Sequence, residues 1–558
     1  MDVAAAEARG TERSAEAAAP LQPVLIVLLV TSALCSLALL LARAFTWPAS
    51  GRPPAFEYLF LRNEPAAAWL SCAIILGAAL AATAMRPLPE RMFVARLTRD
   101  PRAFIACVTA GLIACALLVY RGHPLSMDEY APVFQARIFA RGALVARVPP
   151  ELVQRLIPAI RWFIEASPDG RLVSAYWPGF ALLLTPFVWL GAPWLLNPLV
   201  GGATLLVIWH IGRRLWPDTA AAGWAVLLTA ASPAFVVNAI SLYSMPAHLL
   251  GSLCFFALLL DPTPRRLFLA GAVGSLALTL HNPVPHTTFA LPLIVVLAVR
   301  PGRIGKLAAL AAGYLPGLAM LGAGWFWVRA QIGGNAETAA GGAGALSVLS
   351  RLAFALPSAS SLWSRSVNVA ELALWAVPGL LALACIGAIW RRSEPAVRLL
   401  TASALLTAVA YVFVPYDQGH GWGYRYFHAA WGVLPLLAAG ALEHPRAVGP
   451  LRRTALIAAL ASLLLGNGLR LGQARSFIDA HLAQIPEVAG AHLQQVVFVD
   501  ASRGSYAIDL VQNDPFLESE KWILISHGDA PDARFMRAFF PGARRAATGP
   551  VAKVWVIE

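Results

Sequence analysis

The chain has 558 residues, of which 58% are hydrophobic and 13% charged, against roughly 25% charged in soluble domains. A mean hydropathy of +0.64 and recurring apolar runs of about 20 residues, each enough to span a bilayer, exclude a string of soluble domains. The net charge of +13 lies in short Arg patches between those runs rather than in a basic stripe with interleaved aromatics, which excludes nucleic acid as a partner.

The first apolar run, 22–44, is not followed by a small-residue cleavage site and is long enough to stay as a helix. Further spans are predicted at 66–85, 103–120, 194–212, 221–240, 246–260, 267–281, 284–299, 305–328, 370–390, 397–415, 427–443 and 454–470. The fold class expected is an all-α polytopic membrane protein of about thirteen transmembrane helices, with interfacial helices in the first large outside loop and a small C-terminal α/β appendage. Arg86 to Arg102, Arg213 and Arg214, Arg265 and Arg266, Arg300 to Lys306, Arg391 to Arg398 and Arg446 to Arg453 mark six loops. Placing all six inside puts the N-terminus in and the C-terminus out. The 14-residue apolar stretch 179–192 is too short to cross and reads as interfacial.

Two outside loops are large, 121–177 and the Gly/Ala/Ser-rich 329–369, which reads as mobile or ordered by a ligand. From 471 to 558 the chain is polar. LQQVVFVD (493–500), WILIS (522–526) and VAKVWVIE (551–558) read as strands, with amphipathic stretches at 505–512 and 531–539 between them. All six cysteines fall in predicted spans and no CxxC occurs, so neither a disulfide framework nor a thiolate metal site is indicated.

The strongest local signal is His123-Pro124-Leu125-Ser126-Met127-Asp128-Glu129-Tyr130. Ser126 and Glu129 have capping-box spacing, so Glu129 is expected to turn back to the backbone and Asp128 to stay free beside the positive helix end. Tyr130, Phe134 and Ile138 form a stripe suited to lying along the membrane surface. These residues read either as a helix start with two dipole-complementing acids or as a general base, Asp128, oriented by Glu129. A second constellation runs from Tyr416 to His428 and includes His420, Tyr424 and Arg425. Its guanidinium suits a bidentate phosphate contact, or equally a snorkelling Arg in an aromatic belt. His281-Asn282-Pro283-Val284-Pro285-His286 is a turn, and Tyr176-Trp177-Pro178-Gly179 opens a helix. His123, His248, His281, His286, His420 and His428 gather at the outer face, six of eleven histidines. With the two acids they suggest a divalent cation, yet no HxxxH or HxH spacing supports a metal and none is assigned. Asn197, Asn238 and His210 read as interhelical hydrogen-bonders.

Taken in order, these segments resemble the C-type-fold membrane glycosyltransferases, the family 39-like group that includes protein O-mannosyltransferases and lipid A aminoarabinose transferases. The likeness covers roughly 121–443 and rests on Met127-Asp128-Glu129-Tyr130, VFQARIFARG, the run from Tyr176 to Trp216, SLYSMPAHLL, LALTLHNPVPHTTFALP and GHGWGYRYFHAAWGVLPLLA. Two spans precede the one that normally begins the fold, and His281-Asn282 stands where the group often has Lys or Arg. The chain is thus expected to divide into a transmembrane glycosyltransferase-like domain over 1–470 and a small soluble periplasmic α/β domain over 471–558, in a bacterial inner membrane. The resemblance implies inverting transfer of a sugar from a polyprenyl-phosphate donor to a hydroxyl of a lipid, polysaccharide or protein acceptor, with no required cofactor. Asp128 and Glu129 would be the catalytic pair. Arg425, Tyr424, His420, His428, His281, His286 and Tyr176 would hold the donor phosphate and sugar. A transporter or flippase, or a non-catalytic scaffold, is the alternative; the nearly charge-free membrane interior and the one-sided acids and histidines speak against transport.

Overall fold

Six helices are long and apolar enough to cross a membrane in the computed structural model, which describes residues 22–45, 57–84, 90–157, 163–332, 356–414, 418, 421–488, 494–503 and 506–557. They are Gln22–Ala44, Phe60–Ala84, Pro193–Leu215, Arg303–Ala330, Pro395–Val412 and Gly449–Leu482. Two bent pairs raise the number to eight if each is one span: Met92–Arg99 with Arg102–Leu118, bent by 86°, and Ala221–Ala230 with Pro233–Ala239, bent by 63°.

Among the described residues, six to eight of the thirteen expected spans meet that length and composition, and shorter apolar helices such as Met245–Leu259, Val284–Val299, Leu380–Trp390 and Val433–Leu442 occupy others. Hydropathy counts apolar residues and is blind to what breaks a helix between them. Residues 370–390 divide into Ala359–Leu374 and Leu380–Trp390 around a turn that ends at Gly379, φ +91°. Residues 427–443 begin as a 3-10 turn, Arg425–Ala430, before the helix Val433–Leu442. Every residue of Val433–Leu442 and of Ala221–Ala230 is buried in protein. A helix apolar on all sides is thus central here, enclosed by neighbouring helices. Non-helical backbone at such depth is tolerated where protein surrounds it.

The loop 121–177 carries a sheet that the sequence did not signal, order β1-β3-β2 and antiparallel, from Ala146–Arg147 (β1), Ile164–Ala166 (β2) and Arg171–Ser174 (β3). The C-terminal unit forms a second sheet, order β5-β4-β7-β6, from Gln494–Val499 (β4), Lys521–Ile525 (β5), Arg544–Thr548 (β6) and Ala552–Ile557 (β7). Strand β4 is central, parallel to β5 and antiparallel to β7, with Val497 opposite both Ile523 and Val554. Of the two amphipathic stretches, one contains the 3-10 turn Ala507–Leu510 and the other lies in the helix Asp529–Phe539.

The acidic helix, Met127–Ala140, does not present its stripe to a membrane surface. Tyr130, Phe134 and Ile138 are buried in an apolar core that also contains Val497, Phe498, Leu510 and Val511 of the C-terminal unit. The reason is supply: the buried face of β4 needs an apolar partner, and a helix stripe serves it as well as lipid would. A buried ion pair adds to the junction. Arg155 Nη1 lies 2.8 Å from Asp532 Oδ1, and its guanidinium stacks 4.8 Å from the centre of the Phe535 ring.

Candidate active site

Met127–Ala140 starts as the spacing predicted, with Ser126 at the N-cap and Glu129 turned back to it. Glu129 does more than close a capping box. Its Oε2 accepts the amides of Leu125 at 2.6 Å and Ser126 at 3.2 Å, while Oε1 accepts the Tyr120 hydroxyl and the Leu242 amide, both at 2.9 Å. The residue is fully buried. Asn197 Nδ2 in turn donates to the carbonyls of Ser241 and Tyr243, fixing the turn that offers the Leu242 amide. Glu129 therefore ties together the helix start, the end of the preceding span and the 241–243 turn.

This arrangement predicts a stability effect. Each buried donor left without an acceptor costs about 1–3 kcal/mol. Glu129→Ala should lower the melting temperature of the purified protein severely, and Glu129→Gln, which keeps the shape but faces some donors with its NH2, should fall between. An Ala variant melting with the wild type would show that these bonds contribute nothing.

Asp128, one residue earlier, points the other way. Its Oδ2 receives Arg425 Nη1 at 2.8 Å, and its Oδ1 receives the hydroxyl of Tyr176. The Asp128 side chain is 23% exposed and that of Arg425 6%, so the carboxylate is the accessible end of the pair. It is not free, as the sequence suggested. The cation that engages it arrives from 297 positions away, beyond what local spacing can signal.

Three segments build this site. The first is the acidic helix. The second follows β3, where Gly179 lets the chain cross Thr279 closely: a Cβ there would lie 2.7 Å from the Thr279 carbonyl oxygen. That crossing sets the Tyr176 ring 4.0 Å from the His281 ring, centre to centre. Trp325 Nε1 donates to the Tyr176 carbonyl at 2.7 Å. The third is the loop before Arg425–Ala430. Gln418 accepts the Arg425 amide through its Oε1 at 2.9 Å and donates from Nε2 to the Gly423 carbonyl at 2.9 Å, while its own carbonyl accepts Arg425 Nη2. Gly423 has φ +73° and leaves no space for a side chain, since a Cβ would sit 3.0 Å from the Trp375 ring. The guanidinium lies 4.6 Å over the Tyr243 ring.

The electrostatics follow from burial set against these partners. Burial pushes the Asp128 carboxyl up, but Arg425, His281 and the Tyr176 hydroxyl together hold it down to about 2. His281 is brought down to about 4, first by burial and then by Arg425, so its ring is neutral at pH 7. Tyr176 is raised well above the usual phenol value by burial and by Asp128, and stays a hydroxyl donor.

Asp128, Tyr176, His281 and Arg425 thus come together. The other sequence candidates sit differently. His286 Nε2 lies 2.6 Å from the Tyr314 hydroxyl, His428 stacks with Trp431 and Tyr424 stacks with Phe427. His420 lies outside the described residues. Sequence reasoning gave no role to Tyr243, which lies in the SLYSMPAHLL segment, or to Gln418, which lies within the Tyr416–His428 constellation. Among the described residues, no three His, Cys, Asp or Glu side chains are grouped to hold a metal ion.

No family model matches the sequence, and no curated protein does. Solved structures do. ArnT from Cupriavidus metallidurans bound to undecaprenyl phosphate matches over 81% of this chain and 98% of its own, with a TM-score of 0.53 and 13% identity. The same protein in the apo state matches over the same shares at a TM-score of 0.49 and 14% identity. At such identity the likeness is one of fold, and it is the C-type membrane glycosyltransferase fold to which the sequence motifs pointed.

Proposed function

We propose, from a fold shared with a protein that holds undecaprenyl phosphate and from the buried Asp128–Arg425 pair, that this chain is a bacterial inner-membrane glycosyltransferase. It moves a sugar from a polyprenyl-phosphate donor to an acceptor hydroxyl at the periplasmic face, with inversion. The observation that carries the reading is the pair itself: a buried guanidinium, 6% exposed, against a carboxylate that is 23% exposed.

A carboxylate held at about 2 is a weak base, since general bases work best near the operating pH. The donor supplies the correction. Its phosphate competes for the fork of Arg425, which suits a phosphate as well as a carboxylate. Once Arg425 turns to the phosphate, Asp128 loses the cation that depresses it, and burial raises its proton affinity. The ion pair is then a resting state that the donor opens, so the base is armed only when a sugar is bound.

Asp128 takes the proton of the acceptor hydroxyl as that oxygen attacks the anomeric carbon from the face opposite the phosphate. The bond between that carbon and the phosphate oxygen breaks, and the electron pair leaves on the polyprenyl phosphate. Arg425 stabilises the charge gathering there. Tyr176, still protonated, keeps Asp128 aimed, and the neutral His281 ring braces Tyr176.

The test is mass spectrometry of lipid-linked sugars and glycoconjugates in membranes of a deletion strain carrying the wild type or Asp128→Asn at equal expression. Loss of one glycan and accumulation of a polyprenyl-phosphate sugar in the variant is the expected result, and it also identifies the sugar. A variant profile equal to the wild type's, with the deletion itself showing a defect, would remove Asp128 as base.

A further inference from the structure

We propose that the C-terminal unit positions the catalytic carboxylate, with Asp509 as a positioning residue and Gln512 and Asn513 as its companions; this rests on Asp128 being the base. The segment 509–513 meets the start of the acidic helix at three points that bracket Asp128. Asp509 Oδ1 accepts the amide of Met127, the residue immediately before Asp128, at 2.9 Å. Gln512 Nε2 donates to the carbonyl of Pro124 at 2.7 Å. Beyond Asp128, the Tyr130 hydroxyl donates to the Asn513 carbonyl at 2.7 Å and accepts the Asn513 amide at 2.9 Å. These contacts touch the chain four residues before, one before and two after the base.

Asp509 is 5% exposed, and Asn513 6%. Asn513 is itself locked to β5, its side chain accepting the Ile523 amide and donating to the Ile523 carbonyl, both at 2.7 Å. The grip on Asp128 is therefore anchored in the sheet rather than in a loose loop.

The first amides of a helix have no partner within it, and a carboxylate is the acceptor best matched to the positive end. Ser126 and Glu129 serve the local requirements of this helix, and the Met127 amide is met from the C-terminal unit. A unit that merely covered the membrane domain needs apolar contact, which Tyr130, Phe134 and Ile138 already provide. It does not need a buried carboxylate on the amide of the residue just before the base. Displacing a reacting group by about 1 Å costs about 100-fold in rate, so an anchor at this amide controls turnover while leaving the donor phosphate on Arg425.

The experiment measures kcat, donor KM and melting temperature for the full-length protein with a polyprenyl-phosphate sugar, the one found above. Asp509→Ala should lower kcat about 10- to 100-fold with donor KM within twofold. Asp509→Asn keeps an oxygen for the Met127 amide and should recover kcat to within about threefold of the wild type. Tyr130→Phe, which keeps the ring and loses both bonds to Asn513, should lower kcat in the same KM-independent way and carries the test if Asp509→Ala does not fold. Unchanged kcat in the Asp509→Ala and Tyr130→Phe variants, or kcat falling only in step with melting temperature and with no recovery in Asp509→Asn, overturns the proposal. Asp128→Asn is assayed alongside: if it is inactive while the Asp509 and Tyr130 variants are normal, only the positioning role fails, and if it is active the base assignment fails.

Discussion

Arg425→Ala is expected to reduce kcat by about 100- to 1,000-fold, the range seen when one fixed donor is removed from a developing oxyanion, and to raise donor KM as well. Arg425→Lys keeps a charge but not the planar fork, so it should recover part of the rate and little of the binding. The pH profile separates two roles. In the wild type Asp128 is held at about 2, so the free enzyme's base is ionised above that value and kcat/KM falls only as pH drops through it. Removing Arg425 leaves burial as the dominant influence on Asp128, which raises its pKa. An opposite charge at this range is worth about 1–3 units, so the acid limb of kcat/KM should climb by about that much in Arg425→Ala and much less in Arg425→Lys. An acid limb that stays in place in both variants would disconnect Arg425 from the base and leave it as a phosphate contact alone.

Asp128 and Glu129 illustrate how far local pattern reaches. Capping-box spacing assigned Glu129 to the backbone, because that bond is decided within four residues, and the structure has it there. The same pattern left Asp128 unpaired, because its partners Tyr176 and Arg425 are 48 and 297 positions away. Three of the four C-terminal strands were legible from their apolar runs; β6, with the sequence RRAAT and a largely exposed face, carried no such run. Of the thirteen spans expected, six to eight are long and apolar enough to cross, for a related reason. Apolar stretches such as Ala221–Ala230 are hydrophobic because they are central to a packed protein, and hydropathy does not distinguish that interior from lipid. Asp509 was invisible altogether: an acid in an amphipathic stretch is unremarkable until the fold sets it 2.9 Å from the amide of Met127.

Breaking the ion pair between Glu64 and Arg470 should be among the most destabilising changes in the molecule. Both side chains are 2% exposed, with Arg470 Nη2 at 2.6 Å and Nη1 at 2.8 Å from the two carboxylate oxygens. The pair joins one of the two N-terminal spans to the last long helix. Removing one partner of a buried pair strands the other and costs about 3–5 kcal/mol, whereas replacing both with apolar residues of similar volume is often close to neutral. Glu64→Ala and Arg470→Ala should each melt far below the wild type, and the double variant Glu64→Leu with Arg470→Leu should regain much of the loss. Activity should fall with the single variants too, because Trp375 connects the pair to the site. Its Nε1 donates to Glu64 at 3.0 Å, the Arg470 guanidinium lies 4.1 Å over its ring, and Gly423 of the Arg425 loop packs against that same ring. Thermal unfolding in detergent beside turnover measures both effects, and a double variant less stable than either single one would show that the charges, not the volume they fill, hold the spans together.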